Sequence, residues 1–466
     1  MKYIYFIGIK GVGMTALAVF AKQLGIKVAG SDVEEEFVTD KILLKNGIKC
    51  DVGFEHSIAG TPDLVVMTNA HGGMEKNTQA RYARKKRIKI VSYGEALGII
   101  SQDYDLLAVA GVHGKSTTTA ACAYFLEKAG LSPSYIVGCG SVPNLGDSSK
   151  VGNSKLMVVE ADEYFDKNDK NGKPKFLYLN PKYQIITSIE MDHPDVYGSE
   201  SDIYNAFYDF ACKVNKKGLI IADTDYSKVK RLSMNLVDRN FLTYGFNSQA
   251  KYQIMDRKVK NQKNIFSIKH ERLIYGPFKT ILPGEGNVAN LAAAIIFAME
   301  MGVEEETLKK LAPKFKGIER RFEYKGEKEG VLVYDDYAHH PTAIQVTLAG
   351  VREFFPENKI WVVFQPHTFS RTRELLPQFA QSFKDADGVI VTDIYPSARE
   401  KVNKRISARD LVLAIGKNQE KVYYFGDNNK IVNFLGVTLK PGDILITIGA
   451  GDAQHIGEKF LGKKNG

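Results

Sequence analysis

Cysteine is scarce in this chain. Four residues, Cys50, Cys122, Cys139 and Cys212, lie far apart with no CxxC pair, which fits reduced thiols better than a disulfide framework or a zinc site. No apolar run is long enough to span a membrane, so no membrane partner is expected. The opening Met1 to Gly8 passes at once into a short apolar stretch and a glycine turn, without the longer apolar segment and small-residue cleavage site of a secretory signal. A cytoplasmic setting is therefore expected. Lys and Arg outnumber Asp and Glu by 63 to 54, but the two signs are interspersed along the chain. The one dense basic run, Arg81 to Lys89, reads as a solvated helix end before a strand, and no nucleic-acid partner is expected. A mild positive field instead favours small anionic substrates such as nucleotides. No serine, cysteine or aspartate occupies a recognisable nucleophile motif, so the chemistry expected is phosphoryl transfer by positioning and charge neutralisation.

What is present suits an ordinary globular protein: 466 residues, 44% apolar and 25% charged, enough for about three domains. The most informative run is Gly111-Val112-His113-Gly114-Lys115-Ser116. It follows the apolar Leu106 to Ala110 and precedes Thr117 to Ala123, so a strand turns through glycines into a helix. In such a loop the backbone N–H groups approach phosphate oxygens and the helix N-terminus adds positive partial charge. Lys115 reaches the β/γ-phosphates and the Ser116 hydroxyl joins a Mg²⁺ shell. The loop is shorter than GxxxxGK[ST], with Val109 where that pattern has glycine. An ordinary glycine turn is the alternative.

The first segment predicts a strand over Tyr3 to Ile7, the turn Gly8-Ile9-Lys10-Gly11-Val12-Gly13-Met14, and a helix to Gly25. A second strand, Lys27 to Gly30, then ends at Ser31-Asp32. This is a βαβ unit with a phosphate turn and an acid after the second strand. Its GxxGxG spacing leaves NAD, FAD and a UDP-sugar equally open. A polar link near Asp103 to Asp105 starts the central segment. There Leu156 to Val159 leads into Glu160-Ala161-Asp162-Glu163, and Ile185 to Ile189 leads into Glu190-Met191-Asp192-His193. Glu160 and His193, read as lying at two adjacent strand ends, are candidate metal ligands. A capping or core role is the alternative for His193. Residues 251–283 read as meandering hairpins, followed by a helix from Asn287 to Met301. A third unit starts near Lys316-Gly317, with strands Val331 to Tyr334, Ile360 to Phe364, Val389 to Thr392 and Ile444 to Ile448. Its polar clusters are Asp335-Asp336-Tyr337-Ala338-His339-His340-Pro341, Arg371 with Arg373, and Glu319-Arg320-Arg321; surface ion pairs are the plain alternative for the arginines.

Taken in order, the 111–116 loop, Glu160 to Glu163, Asp192-His193, Asp335 to Pro341 and Phe364-Gln365-Pro366-His367-Thr368-Phe369-Ser370-Arg371-Thr372-Arg373 resemble the Mur ligases. The opening glycine turn and the late Ser397-Ala398-Arg399-Glu400 extend the likeness over nearly the whole chain. The resemblance implies an α/β protein of three domains: a Rossmann-like 1–104 for UDP-N-acetylmuramate, a central P-loop-type ATPase sheet over 105–317, and a Rossmann-like 318–466 for an amino acid. It implies an amide ligase using ATP and Mg²⁺. Within the family the motifs point to L-alanine as the amino acid, with a recycled tripeptide as the alternative; the insertion Asp166 to Lys175 resembles the latter's enzymes.

Carried over residue by residue, Gly11, Gly13, Met14 and Thr15 hold the UDP pyrophosphate and Asp32 its nucleoside end. Gly111, Val112, His113, Gly114, Lys115, Ser116 and Thr117 cradle ATP. Ser116 and Glu160 bind one Mg²⁺ and His193 the second, Asn287 and Asn290 face adenine, and Asp336 meets the ribose. Arg321, His339 and Arg371 reach the reacting groups. The chain departs from the family at Gly286, often histidine, and at Thr368, arginine in some members. A nicotinamide oxidoreductase and a P-loop switch or transport ATPase are more distant alternatives; each leaves one of the two glycine loops without a use.

Overall fold

The computed structural model describes residues 1–55, 57–68, 73–165, 172–193, 196–396 and 405–463. Residues 166–171 of the insertion and Ser397-Ala398-Arg399-Glu400 lie outside them. Five parallel strands, β1 (Tyr3–Ile7), β2 (Lys27–Asp32), β3 (Lys49–Val52), β4 (Leu64–Met67) and β5 (Lys89–Ser92), form a sheet of order β3-β2-β1-β4-β5. All of β1 is buried, as a continuous apolar strand covered on both faces must be. The helix Val12–Gln23 starts five residues after β1 and buries every residue from Met14 to Ala21. It packs on β2 and also against β7 (Ser134–Val142) and β8 (Gly146–Lys150) of the next sheet. Ile4, Phe6, Leu17 and Phe20 accordingly share one apolar core with Ile136, Val159 and Phe207.

That next sheet has ten strands. With β6 (Asp105–Ala110), β9 (Leu156–Glu160), β10 (Tyr183–Ile186), β11 (Leu219–Asp223), β12 (Phe241–Gly245), β13 (Tyr252–Val259), β14 (Asn264–His270) and β15 (Leu273–Thr280), its order is β15-β14-β13-β12-β11-β10-β6-β9-β7-β8. Strands β7, β9, β6, β10, β11 and β12 run parallel. The expected strand over Ile185 to Ile189 stops at Ile186, because Thr187 and Ser188 turn their hydroxyls to the backbone of His113. Glu160 and His193 do not sit at adjacent strand ends: β6 and its loop lie between β9 and β10.

A third sheet has the order β16-β17-β21-β18-β19-β20, from β16 (Glu323–Lys328), β17 (Val331–Asp336), β18 (Ile360–Phe364), β19 (Gly388–Val391), β20 (Val422–Tyr424) and β21 (Ile444–Ile448). It is parallel except for β16. Side-chain alternation puts Val362 and Phe364 in one core and Trp361 and Val363 in the other. Two strands of this sheet are not expected from the sequence: β16 is polar and irregular, and β20 has only three residues. By compactness the chain divides into two units. One comprises Met1–Arg257, Phe266–Lys279 and Ala289–Phe315; the other comprises Lys258–Ile265, Thr280–Val288 and Lys316–Gly466. Among the described residues no helix is long and apolar enough to cross a membrane.

Candidate functional site

In the first unit, β6 ends at Ala110 and the helix Lys115–Lys128 begins after four residues, with Gly114 left-handed at φ 80° and no side chain capping the first turn. Uncapped first-turn N–H groups with no acid among them are an anion-binding geometry. The loop is braced by β10's continuation: Thr187 Oγ1 donates to His113 O (2.5 Å), and His113 N donates to Ser188 Oγ (2.8 Å). A Cβ on Gly114 would stand 2.2 Å from Asn290 Oδ1, so the glycine is what lets the Asn290 amide approach the loop. Asn290 lies one turn after Asn287 on the helix Glu285–Glu300, whereas the Asn287 amide donates to Pro283 O (2.8 Å).

Lys115 folds back along its own loop. Its Nζ donates to Gly111 O (2.6 Å) and to Glu163 Oε1 (3.0 Å), and lies 2.9 Å from Glu163 Oε2. Burial opposes the ammonium, but Glu163, Asp162 and Glu160 outweigh it and raise its pKa. Glu163 is one residue that sequence reasoning gave no role. The signal was present, since it stands three places after Glu160 in the quoted acidic run. His193 Nε2 lies 3.5 Å from Glu163 Oε1 and 3.5 Å from Asp192 Oδ2. His193 has φ 54°, an uncommon conformation held by Asp192 Oδ1 accepting its N–H (2.7 Å) and by its carbonyl accepting from Val196 and Tyr197. Burial works against a charged imidazole there, yet the neighbouring acids prevail and raise its pKa.

Glu163, Asp192 and His193 bring ligand atoms within 4.8 Å of one another. Glu160 is a separate acid: burial raises its pKa against the pull of Lys115 and the Ser116 hydroxyl, and Gly138 N donates to its Oε2 (3.0 Å). Ser116 and Glu160 therefore meet as expected, while His193 gathers with Glu163 and Asp192.

The first glycine turn, also in this unit, opens the helix Val12–Gln23 at Gly11, again without a side-chain cap. Asp32 accepts from Lys10 N (2.6 Å) and Val33 N (2.8 Å). Thr15 is buried and donates to Ile9 O (2.7 Å); its side chain and that of buried Met14 shape the turn from inside.

In the second unit the polar loops gather at the carboxyl ends of β17, β18 and β21. Asp336 is buried, accepting from Phe322 N and Ala338 N (both 2.8 Å). Burial raises its pKa, opposed first by Arg321. Arg321 lies over the Tyr337 ring at 5.6 Å. His339 Nδ1 donates to Tyr337 O (3.0 Å), which fixes the tautomer with Nε2 as acceptor when neutral. Burial, then the charges of Arg371 and His367, push its pKa down to about 4. Arg371, on the short helix Phe369–Glu374, lies 3.2 Å from His367 Nδ1. Arg320, unlike Arg321, is spent internally: it donates to Asp335 (3.0 Å), Gly451 O (3.0 Å) and Gly449 O (2.6 Å).

Comparison with known proteins gives three family matches along the chain. The catalytic domain of the Mur ligase family matches residues 3–105, the Mur ligase middle domain 109–298, and the Mur ligase glutamate ligase domain 320–451. The UDP-N-acetylmuramate–L-alanine ligase of Desulfitobacterium hafniense is 36% identical over 98% of this chain and 99% of its own, and that of Caldanaerobacter subterraneus is 37% identical over 99% and 97%. Among solved structures, the UDP-N-acetylmuramate–alanine ligase of Thermotoga maritima aligns with a TM-score of 0.83 at 25% identity, covering 99% of each chain. A murein peptide ligase of Psychrobacter arcticus, also 25% identical, aligns at 0.71 over 99% of this chain and 98% of its own.

Proposed function

Because the chain belongs to the Mur ligase family, we propose that it joins L-alanine to UDP-N-acetylmuramate with hydrolysis of ATP to ADP and phosphate, a step of peptidoglycan precursor synthesis carried out in the cytoplasm. The observation that carries this reading is the Lys115 loop: a buried ammonium held by Glu163 at an uncapped helix N-terminus, in a chain aligned end to end with L-alanine ligases. The lactyl carboxylate of UDP-N-acetylmuramate attacks the γ-phosphorus, ADP leaves, and an acyl phosphate results. The α-amine of L-alanine then adds to the acyl carbon, and collapse of the tetrahedral intermediate expels phosphate.

Each residue has a share in this. The N–H groups of residues 114–117 and the Lys115 ammonium neutralise charge on the transferred phosphoryl group, and Asn290 meets the adenine side of the nucleotide with Asn287. Gly11 and Gly13 admit the pyrophosphate to the first helix N-terminus. Arg371 grips the amino-acid carboxylate. Neutral His339 keeps further positive charge away from the ammonium of alanine and offers Nε2 to it as an acceptor. Arg321 and Asp336 frame the ribose end.

The oxygen donors suit Mg²⁺. Glu160 pairs with the Ser116 hydroxyl, and Glu163 Oε2, buried, has no hydrogen-bond partner among the described residues, only its ion pair. Glu160 with Ser116 would hold one ion, and Glu163, Asp192 and His193 a second, His193 being the less usual ligand for a hard cation. Such ions would supply charge neutralisation for the phosphates.

The test is direct. The protein is incubated with ATP, Mg²⁺ and UDP-N-acetylmuramate, alone, with L-alanine, and with L-alanyl-γ-D-glutamyl-diaminopimelate, and phosphate and the amide product are measured. Phosphate release that needs both UDP-N-acetylmuramate and L-alanine is the expected result. Better turnover of the tripeptide would move the assignment to the recycling ligase.

A further inference from the structure

Lys10 stands inside the first glycine turn yet does not face solvent: it is 6% exposed. Its Nζ donates to Glu35 O (2.8 Å), pairs with Asp40 (3.2 Å) and lies over the Phe37 ring at 5.7 Å. Its backbone is tied to the same region, since Lys10 N donates to Asp32 Oδ2 (2.6 Å) and Thr39 Oγ1 donates to Lys10 O (2.5 Å). One residue thus fastens the segment following β2, residues 33–40, to the loop that opens the helix Val12–Gln23.

The electrostatics make the lysine more than a tether. Asp32 and Asp40 place two carboxylates beside a loop whose proposed ligand carries a dianionic pyrophosphate, and like charges at such range disfavour binding. The Lys10 ammonium pairs with Asp40 and offsets part of that field. A neutral side chain of equal length would leave Asp40 without its cation and would drop the contacts to Glu35 O and the Phe37 ring.

From these contacts we infer that Lys10 is a positioning residue for the sugar nucleotide: it holds the 33–40 segment in place as the nucleoside-side wall and balances Asp40, without itself touching the reacting atoms. The inference rests on the proposed binding of UDP-N-acetylmuramate to the first glycine turn.

Steady-state kinetics of the full-length protein with each substrate varied separately would test it. Lys10→Met is expected to raise KM for UDP-N-acetylmuramate at least tenfold, with KM for ATP and for L-alanine within about twofold of the parent and kcat at saturation largely kept. Lys10→Arg should recover much of the loss. Asp40→Asn, at a partly exposed position, is the milder variant: it removes the ion pair while leaving the Glu35, Asp32 and Thr39 hydrogen bonds, and should raise the same KM by a smaller factor. An unchanged KM for the sugar nucleotide in folded Lys10→Met, or an equal rise for all three substrates, would overturn the inference. Failure of the parent protein to use UDP-N-acetylmuramate would instead overturn the ligase reading on which it rests.

Discussion

Lys115 and Glu163, 48 positions apart in sequence, form an ion pair at 2.9 Å in which the carboxylate is 1% exposed and the ammonium 14%. Glu163 in turn lies 3.5 Å from His193, so one acid links the phosphate loop to the segment after β10. The same ammonium donates to Gly111 O (2.6 Å).

Lys115→Ala should abolish phosphate release while binding of UDP-N-acetylmuramate survives, because the sugar nucleotide is assigned to the other glycine turn. Calorimetric titration with UDP-N-acetylmuramate beside a phosphate assay separates the two properties. Equal loss of both in a folded protein would falsify the division of labour.

Glu163→Gln keeps the shape and removes the charge that holds Lys115 and faces His193. Turnover should fall by a factor on the order of 100, the scale of losing one positioned charge contact in a catalytic site. The Mg²⁺ concentration for half-maximal rate should rise, as it should in Glu160→Gln and His193→Ala. If Mg²⁺ titrations of His193→Ala overlay those of the parent, His193 returns to a capping role.

Gly138→Ala offers a steric check on Glu160. A Cβ at this position would stand 2.6 Å from Glu160 Oε2, closer than contact allows, so the carboxylate must move. The expected signature is a raised Mg²⁺ requirement with little change in thermal midpoint; a midpoint drop without any change in Mg²⁺ dependence would place Glu160 outside the metal site.

Arg371→Ala should raise KM for L-alanine strongly, by a factor of roughly 10–100 for one charge-assisted contact, and leave nucleotide binding nearly intact. Calorimetry with ADP alongside initial rates over an alanine series reads both. A KM for alanine within twofold of the parent would remove Arg371 from the amino-acid site.

His339 gives a pH prediction. An unfolded histidine takes up its proton near 6.5, whereas burial and the neighbouring charges hold folded His339 near 4. Between those values the unfolded chain binds more protons, so this contribution to stability is intact above about 6.5 and is lost as pH falls towards 4. Thermal unfolding followed from pH 7 to pH 4 should show a decline that His339→Gln flattens. Parallel curves for the two proteins would mean that His339 titrates normally.

The sequence by itself determined those features that depend on neighbours along the chain. Gly114-Lys115-Ser116 after an apolar strand is expected to open a helix, which begins at Lys115, and Pro341 could begin the helix Pro341–Phe354 because its missing N–H costs nothing at the first position. The strands Tyr3–Ile7, Ile360–Phe364 and Ile444–Ile448 match their expected limits because each is a wholly buried apolar run. What only the tertiary structure decided is which strand ends face each other. The order β9-β6-β10 places the phosphate loop between Glu160 and the His193 segment, a matter of crossover connections that no local pattern encodes. For the same reason Glu163 was legible as an acid but not as the partner of Lys115, and Lys10 as a loop residue but not as the buried clasp of residues 35–40. Those identities come from packing across 25 to 48 positions of chain, where burial makes an unpaired charge too costly to leave alone.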